Sequence, residues 1–187
     1  MNPAESSLLG IAATTMLGLC SPAVGQCSQA WQPGDAIPNA HGTVHASVVW
    51  DPDGAGPAPA LLVAGGSFGA GGQRNAALAS FDGTSWGAIG TPPMTEVFAL
   101  TVWNGLLVAA GGAGTLHTVA TWNGTAWSTI GTVAGRVNTM TVFNGDLVVG
   151  GSFPLVNGVT THNLARWNGT AWSDPGGGVN AEVRALA

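Results

Sequence analysis

The side chains most able to do chemistry in this chain are a few polar residues among apolar, glycine-rich stretches. Five lie in segments that we expect to be loops and are candidate ligand-binding residues: Arg74, Asn75, His117, His162 and Asn163. Three more stand at the start of apolar stretches, where Glu residues could form a ring of carboxylates: Glu96, Arg136 and Glu182. Arg74 is one of only four basic residues, which suits it to an anionic ligand. The alternative for each is a solvated side chain that keeps a loop or strand end soluble.

These residues form no recognisable catalytic or metal-binding motif. The four histidines lack the spacing of zinc ligands. Asp51 and Asp53 resemble the start of a calcium loop, but Pro52 intervenes and Leu62 stands where the last ligand belongs, so we interpret the segment as a turn. No Ser or Cys has an identifiable base, and several of the nine acidic residues lie in turns. We therefore expect no catalytic residue, no metal and no cofactor.

Composition narrows the fold and the partners. The net charge is -5, and nucleic-acid binding needs clustered basic residues that are missing here. Apolar residues make up 45% of the chain and charged residues only 7%, and 30 glycines separate short runs of Val, Leu, Phe and Trp. Such a pattern is typical of many short strands with tight turns, and it lacks the periodicity of a long amphipathic helix. It predicts an all-β fold.

The elements that must position the polar residues repeat along the chain. WNGTAW occupies 122–127 and 167–172, and FDGTSW occupies 81–86. Each follows two apolar strands, the second of which runs into Gly-Gly, and the strands are joined by an Asn-Gly turn except in the first copy, where 51–60 forms a longer turn. A repeat of 41 to 45 residues is typical of propellers and solenoids. The residues expected to recur for structural reasons are Trp31, Gly65, Gly66, Trp86, Gly111, Gly112, Trp122, Trp127, Gly150, Gly151, Trp167 and Trp172.

Turn residues predict how the strands are joined. Asn and Gly accept the positive φ angles of two-residue hairpin turns. Asn104-Gly105 and Asn144-Gly145 would join first to second strands, and three further pairs would join third to fourth strands: Asp82-Gly83, Asn123-Gly124 and Asn168-Gly169. Any even loop length then places both Trp residues of WNGTAW on one face of a sheet, where they form an apolar surface for the next sheet.

Four antiparallel strands per repeat predict a β-propeller, with four-stranded blades at about 42–90, 95–131 and 136–176. The segment 29–46 parallels 170–187, so Trp31 matches a fourth-strand Trp, and a strand near 30–32 would complete a last blade beyond residue 187. We expect an incomplete propeller of about three blades plus terminal strands. Three blades cannot close a ring, so exposed sheet faces would favour self-association.

The order of these signals resembles the kelch family of propellers over residues 31–187. The phrases WDPDGAGP and RWNGTAW are similar to those of large secreted, kelch-like repeat proteins of planctomycete-type bacteria. A WD40 propeller is less favoured because no Trp-Asp pair ends the strands, and a sialidase-type Asp box would need one more residue between Ser80 and Trp86. A β-solenoid would have shorter coils. Kelch-like copper oxidases use Tyr ligands, and this chain has no Tyr.

The first 25 residues predict a secretory signal peptide. An apolar run, 8–20, precedes small residues and a cleavage site after Gly25, and it is too short to span a membrane. Glu5 and the absence of Lys and Arg before the run argue against export, and the alternative is a packed or disordered N-terminal segment. Cys27 would be the one cysteine of the mature chain, 26–187. The expected location is secreted, periplasmic or at the cell surface.

Loop lengths give the functional hypothesis. The connections from second to third strands, at 67–77, 113–118 and 152–163, are longer than the hairpin turns and share one side with the fourth-to-first connections. Variable loops on a rigid scaffold commonly bind ligands. We predict an exported, non-catalytic propeller that binds a protein or glycan through this side, or has a structural role at the cell surface. The alternative is the N-terminal part of an extracellular enzyme acting on carbohydrate.

Overall fold

The computed structural model describes residues 41–70, 73–113 and 116–187, and over these ranges the protein is all-β, with no helix. The all-β prediction is therefore confirmed. In the described ranges no helix is long and apolar enough to cross a membrane. The predictions for the signal peptide, for Cys27 and for the strand near Trp31 lie outside the described residues.

The described residues form fourteen strands in three antiparallel sheets, none of which closes on itself. The first sheet has the order β1-β2-β3-β4, with β1 His41–Trp50, β2 Leu61–Ala70, β3 Gln73–Phe81 and β4 Trp86–Ala88. The second begins with β5 Glu96–Trp103, β6 Leu106–Ala113, β7 Leu116–Trp122 and β8 Trp127–Val133. The third contains β9 Arg136–Phe143, β10 Asp146–Ser152, β13 Leu164–Trp167 and β14 Trp172–Ser173.

The second sheet has six strands because a short hairpin from the next repeat extends it. β11 (Leu155–Val156) and β12 (Val159–Thr160) flank the Asn157-Gly158 turn, and Val156 pairs with Val133 at the edge of β8. The Asn157 side chain also accepts a hydrogen bond from the Thr132 amide at 2.7 Å. The connection 152–163, predicted to be a loop, therefore contains a hairpin, and Asn-Gly between β-branched residues is the sequence signal for it.

The remaining second-to-third connections are much shorter than predicted. β2 continues to Ala70 and β3 begins at Gln73, so Arg74 and Asn75 lie within a strand, not in a loop. β6 ends at Ala113 and β7 begins at Leu116, which places His117 in a strand as well. The prediction of long loops at 67–77 and 113–118 is wrong, because strand pairing continues through these stretches as far as Ala70↔Gln73 and Ala113↔Leu116.

The hairpin turns confirm half of the turn prediction. Asn104 and Asn144 have φ angles of 50° and 51°, as two-residue turns require. The third-to-fourth connections are instead four-residue loops, as in Asn123–Ala126 between the paired Trp122 and Trp127. Only the glycine of that loop has a positive φ, and the Asn123 side chain accepts hydrogen bonds from Thr125 and Ala126. Asp82 and Asn168 make the same contacts in their loops.

The paired aromatic residues lie on one face of each sheet, as predicted. Trp122 and Trp127 have ring centroids 5.4 Å apart, and the pairs Phe81–Trp86 and Trp167–Trp172 are equally close. The later Trp of the pair also reaches the preceding sheet. Trp127 Nε1 donates to the Ile89 carbonyl at 3.0 Å, and Trp172 Nε1 donates to the Ile130 carbonyl at 2.7 Å.

The core lies between neighbouring sheets. One cluster of buried residues joins the first and second sheets and includes Val63, Val97 and Leu107. A second cluster joins the second and third sheets and includes Val108 and Leu147. Each fully buried Val or Leu contributes about 1.5–3 kcal/mol relative to an exposed one. The second sheet therefore uses both of its faces for packing.

The outermost faces of the sheets are only partly covered. Val97 is fully buried, whereas Val44, which occupies the same place in the first sheet, is 55% exposed. Trp103 is 8% exposed, whereas Phe143, its counterpart in the third sheet, is 65% exposed. These apolar side chains occupy positions that a neighbouring sheet covers elsewhere in the protein.

The glycine pairs have two separate roles. Gly66, Gly111 and Gly151 are equivalent in register, and a Cβ on any of them would lie 2.0 Å from a backbone oxygen of the first strand. The residue before them packs against the following sheet, and it is Gly65, Ala110 and Gly150 in the three repeats. The predicted equivalence of Gly111-Gly112 with Gly65-Gly66 and Gly150-Gly151 is thus wrong by one residue, because Ala110-Gly111 is the equivalent pair. Gly112 takes the place of a serine.

Candidate functional site

The antiparallel pairing gives the sheets two distinct ends. We call the end with the Asn-Gly hairpins and the four-residue loops the turn end. The opposite end, which carries the start of β5, β7 and β9, is the bulge end, because the first strand of each sheet has an unpaired residue there. These unpaired residues are His45, Phe98 and Asn138. The prediction that second-to-third and fourth-to-first connections share one end is confirmed within each sheet.

Each unpaired residue contacts a residue that follows its own sheet in the chain, and for His45 and Phe98 that residue lies in the first strand of the next sheet. His45 Nε2 lies 2.9 Å from Glu96 Oε1. The guanidinium carbon of Arg136 lies 3.9 Å from the centroid of the Phe98 ring. Asn138 donates through Nδ2 to Glu182 Oε1 at 2.9 Å. The equivalent backbone position is therefore bridged by a histidine–carboxylate hydrogen bond in the first sheet, a cation–π contact in the second and an amide–carboxylate hydrogen bond in the third.

The Phe98 ring lies at the centre of this row, together with four polar side chains. We call these five residues the Phe98 cluster: His45, Glu96, Phe98, His117 and Arg136. The Phe98 ring is stacked with His117 at a centroid distance of 5.6 Å and an interplanar angle of 18°. His45 lies 5.4 Å from the same ring. The structure thus brings together three of the residues predicted from the sequence.

His117 is held in an unusual environment within this cluster. Its Nδ1 atom is buried and has no hydrogen-bond partner among the described residues. The ring lies against Gly112, where an added Cβ would be 3.1 Å from it, so a larger residue there would crowd the imidazole. Burial lowers the pKa of His117 below its usual 6.5, and Arg136 lowers it further, while Glu96 acts in the opposite direction. The imidazole is therefore neutral at neutral pH.

Arg136 differs from the other arginines with described side chains. Arg166 forms an ion pair with Asp146, and Arg184 forms one with Glu182. Arg136 is exposed and, among the described residues, has no carboxylate within ion-pair distance. The stacked contact with Phe98 holds the guanidinium in place without using its N–H donors, which stay free to bind an acceptor.

The other predicted site residues serve different contacts. Asn163 accepts a hydrogen bond from the Phe153 amide and donates to the Val179 carbonyl, so it holds two loop segments together. His162 is exposed and has a φ of 42°. The pKa of Glu182 is lowered by hydrogen bonds from Asn138 and Arg184. The side chains of Arg74 and Asn75 lie outside the described residues.

Two members of the cluster, His45 and Phe98, were missed by sequence reasoning. They stand inside apolar strands, where Phe98 looks like a core residue and His45 like an isolated polar one. An alignment of the first strands would have indicated these two residues. The equivalent positions in the three sheets are Thr43-Val-His45, Glu96-Val-Phe98 and Arg136-Val-Asn138. The third residue of each triplet varies where the second does not.

A separate cleft of about 230 Å³ opens between the first and second sheets at the turn end. It is lined by Trp50, Pro52, Leu61, Ser80, Ala88, Ile89, Trp122 and Gly124. The Trp50 indole already donates to the Gly105 carbonyl, and no titratable side chain lines the cleft. Over the described ranges, no three His, Cys, Asp or Glu side chains come together as metal ligands. The Phe98 cluster is therefore the better candidate site.

No protein-family profile matches this chain, and no curated protein or solved structure shows significant similarity to it.

Proposed function

We propose that this chain is part of an exported, non-catalytic, kelch-like β-propeller that binds a protein or glycan ligand at the bulge end. The observation that carries this proposal is the Phe98 cluster, where an exposed arginine and a neutral histidine share one aromatic ring. Polar groups converging on an ordered scaffold are what a binding site requires. Glu96 and Glu182 are engaged by neighbouring side chains, which favours binding over acid–base catalysis.

The propeller is supported by the equivalence of successive sheets. The second sheet packs one face on the first sheet and the other on the third, through residues at matching positions. The segment after the third sheet begins the same arrangement. A Cβ on Gly150 would lie 2.6 Å from the Val183 side chain, just as one on Gly65 would lie 2.6 Å from Val97. This contact supports the proposal that the segment around Val183 begins a further sheet.

The uncovered faces support the proposed self-association of the 187-residue chain. Val44, Leu62 and Phe143 are each more than 40% exposed, although their counterparts are buried between sheets. Sedimentation velocity should show oligomers of the full chain, and the double variant Val44→Asp, Phe143→Asp should be more monomeric. A wild-type chain that sediments as a monomer at high concentration would contradict this part of the proposal.

The binding function can be tested with the tagged full chain on arrays of glycans and of secreted proteins. We expect at least one ligand whose binding falls tenfold or more in Arg136→Gln. The matched control is Ser173→Ala, an exposed change in β14 near the turn end. Ligands that lose affinity equally in both variants, or an array with no ligand, would overturn the proposal. Export is tested separately by locating the tagged protein and sequencing its mature N-terminus, expected after Gly25.

A further inference from the structure

We propose that Arg136 and His117 bind the carboxylate group of an acidic sugar, in a site whose geometry is set by Phe98. This inference rests on the proposed function and names its ligand chemistry. It starts from the position of Arg136, whose guanidinium carbon is 3.9 Å from the Phe98 ring centroid and whose side chain is exposed. A guanidinium held over an aromatic ring by a cation–π contact keeps its N–H donors available for a carboxylate, which it can bind in a bidentate manner.

Two carboxylates could neutralise Arg136 from within the protein, Glu96 of the cluster and Glu182, and both are already engaged. Glu182 accepts hydrogen bonds from Asn138 and Arg184, which lower its pKa, and Arg136 helps to lower it further. The Glu96 Oε1 atom lies 2.9 Å from His45 Nε2 on the neighbouring first strand. The His45–Glu96 pair therefore uses the one acidic group of the cluster, and Arg136 keeps a positive charge that nothing in the cluster offsets at close range. An anion from outside the protein would supply the missing partner.

His117 provides the second polar group. It is stacked on the same Phe98 ring that holds Arg136, so both side chains are fixed relative to each other. The charged groups that act on this imidazole are Arg136, which disfavours its protonation, and Glu96, which favours it and is bonded to His45. A bound carboxylate would add a negative charge beside Arg136 and so favour the imidazolium, which donates from both ring nitrogens. Binding should therefore tighten as the pH falls.

The overall charge argues for a sugar acid over a protein or a polyanion. The chain carries nine acidic and four basic residues, so an acidic protein surface or a densely charged polymer is repelled outside the cluster. A glycan with one carboxylate among neutral hydroxyl groups avoids that repulsion and still offers the anion. We therefore expect a uronate-bearing glycan with one acidic group per site.

The test is isothermal titration of the full chain with a galacturonate trisaccharide and, as its neutral counterpart, a galactose trisaccharide, at pH 5.5 and 7.5. We expect the galacturonate trisaccharide to bind at least tenfold more tightly than the neutral one and several-fold more tightly at pH 5.5. Arg136→Gln should abolish the preference for the acidic sugar. Arg184→Gln, which removes an exposed arginine paired with Glu182, should change affinity less than twofold.

Further variants and one more probe separate the outcomes. His117→Gln should retain binding at pH 7.5 and lose the gain at pH 5.5, and Arg136→Lys covers the case in which Arg136→Gln misfolds. Equal affinity for both trisaccharides would overturn this inference and leave the proposed function intact. An acidic peptide of equal length that binds as tightly as the trisaccharide would overturn the choice of a sugar. Failure of every array ligand would instead overturn the proposed function.

Discussion

The turn end and the bulge end of this protein follow opposite rules. At the turn end the same contacts recur, such as the Trp103 indole donating to the Gly145 carbonyl as Trp50 does to Gly105. At the bulge end the backbone repeats, but the bridging side chain is different in each sheet. We infer that the side-chain contacts repeated from sheet to sheet are those that hold the sheets together. Variation on a repeated backbone marks the place where a specific ligand can be recognised.

The largest loss of stability should come from a substitution that disturbs the close approach of strands repeated at the bulge end. Gly111→Ala would place a Cβ 2.0 Å from the Glu96 carbonyl oxygen, and neither strand can move without disturbing a sheet interface. We expect a loss of about 3 kcal/mol or more in the free energy of unfolding, measured by urea denaturation of the full chain. Gly87→Ala is the control, because its nearest new contact would be 3.4 Å away, at the Ser80 hydroxyl. Equal losses in both variants would show that the close approach is not what requires glycine.

The next effect should come from removing one repeated contact at the turn end. Trp103→Phe deletes the 2.8 Å hydrogen bond to the Gly145 carbonyl and part of a buried ring. We expect the midpoint of urea unfolding to fall by an amount equivalent to about 1–3 kcal/mol.

The matched control for Trp103→Phe is the reverse change at the equivalent position of the third sheet. Phe143→Trp adds an indole to a residue that is 65% exposed, so stability should change by less than about 0.5 kcal/mol. A similar cost for both changes would contradict the assignment of these residues as equivalents in different surroundings.

A smaller effect is expected in a four-residue loop of the turn end. Asn168→Ala removes the acceptor for the Thr170 amide, the Thr170 hydroxyl and the Ala171 amide, and should cost about 1 kcal/mol in thermal or urea unfolding. Asn168→Asp should retain most of the stability, because Asp82 makes the same contacts in the first sheet. If Asp proves as costly as Ala, the side-chain acceptor is not the stabilising group.

The Asp82 loop adds a pH dependence that the Asn loops lack. Hydrogen bonds from Thr84 and Ser85 hold the pKa of Asp82 well below its usual range, so its stabilising contribution is present above that range and lost in strong acid.

The smallest effect concerns the bulge end and the protonation of His117. Its folded pKa is lower than 6.5, so the unfolded chain binds the proton more readily, and stability should decline as the pH falls below about 6.5. In His117→Gln this part of the decline should vanish, while His162→Gln, on an exposed loop, should retain it. Urea midpoints measured from pH 7.5 to 5 check the slope, and a His117→Gln slope equal to the wild-type slope would contradict it.

The sequence predicted those features that depend on local spacing. Trp122 and Trp127 had to share a face because they are five residues apart across an even loop, and Asn104-Gly105 had to turn the chain. The sequence did not predict features that depend on how closely two paired strands approach each other. The bulges at His45 and Phe98 follow from the close approach at Gly66 and Gly111, which no single strand reveals.

The candidate site was predicted in part for the same reason. Glu96, His117 and Arg136 attracted notice as rare polar residues, and the structure brings them together. Phe98 organises them and was missed, because an aromatic residue in an apolar strand is indistinguishable from a core residue until its neighbours across the sheet interface are known.

The hairpin of β11 and β12 has a consequence for how such a chain could be shortened, lengthened or recombined. By sequence it belongs to the third repeat, but its strands extend the second sheet. A deletion of residues 136–176 as one repeat would therefore also remove two strands from the second sheet, which remains in the shortened chain. Removing or exchanging the third repeat alone should therefore disturb the second sheet, whereas no such hairpin ties the first repeat to the second in the part of the chain that is described.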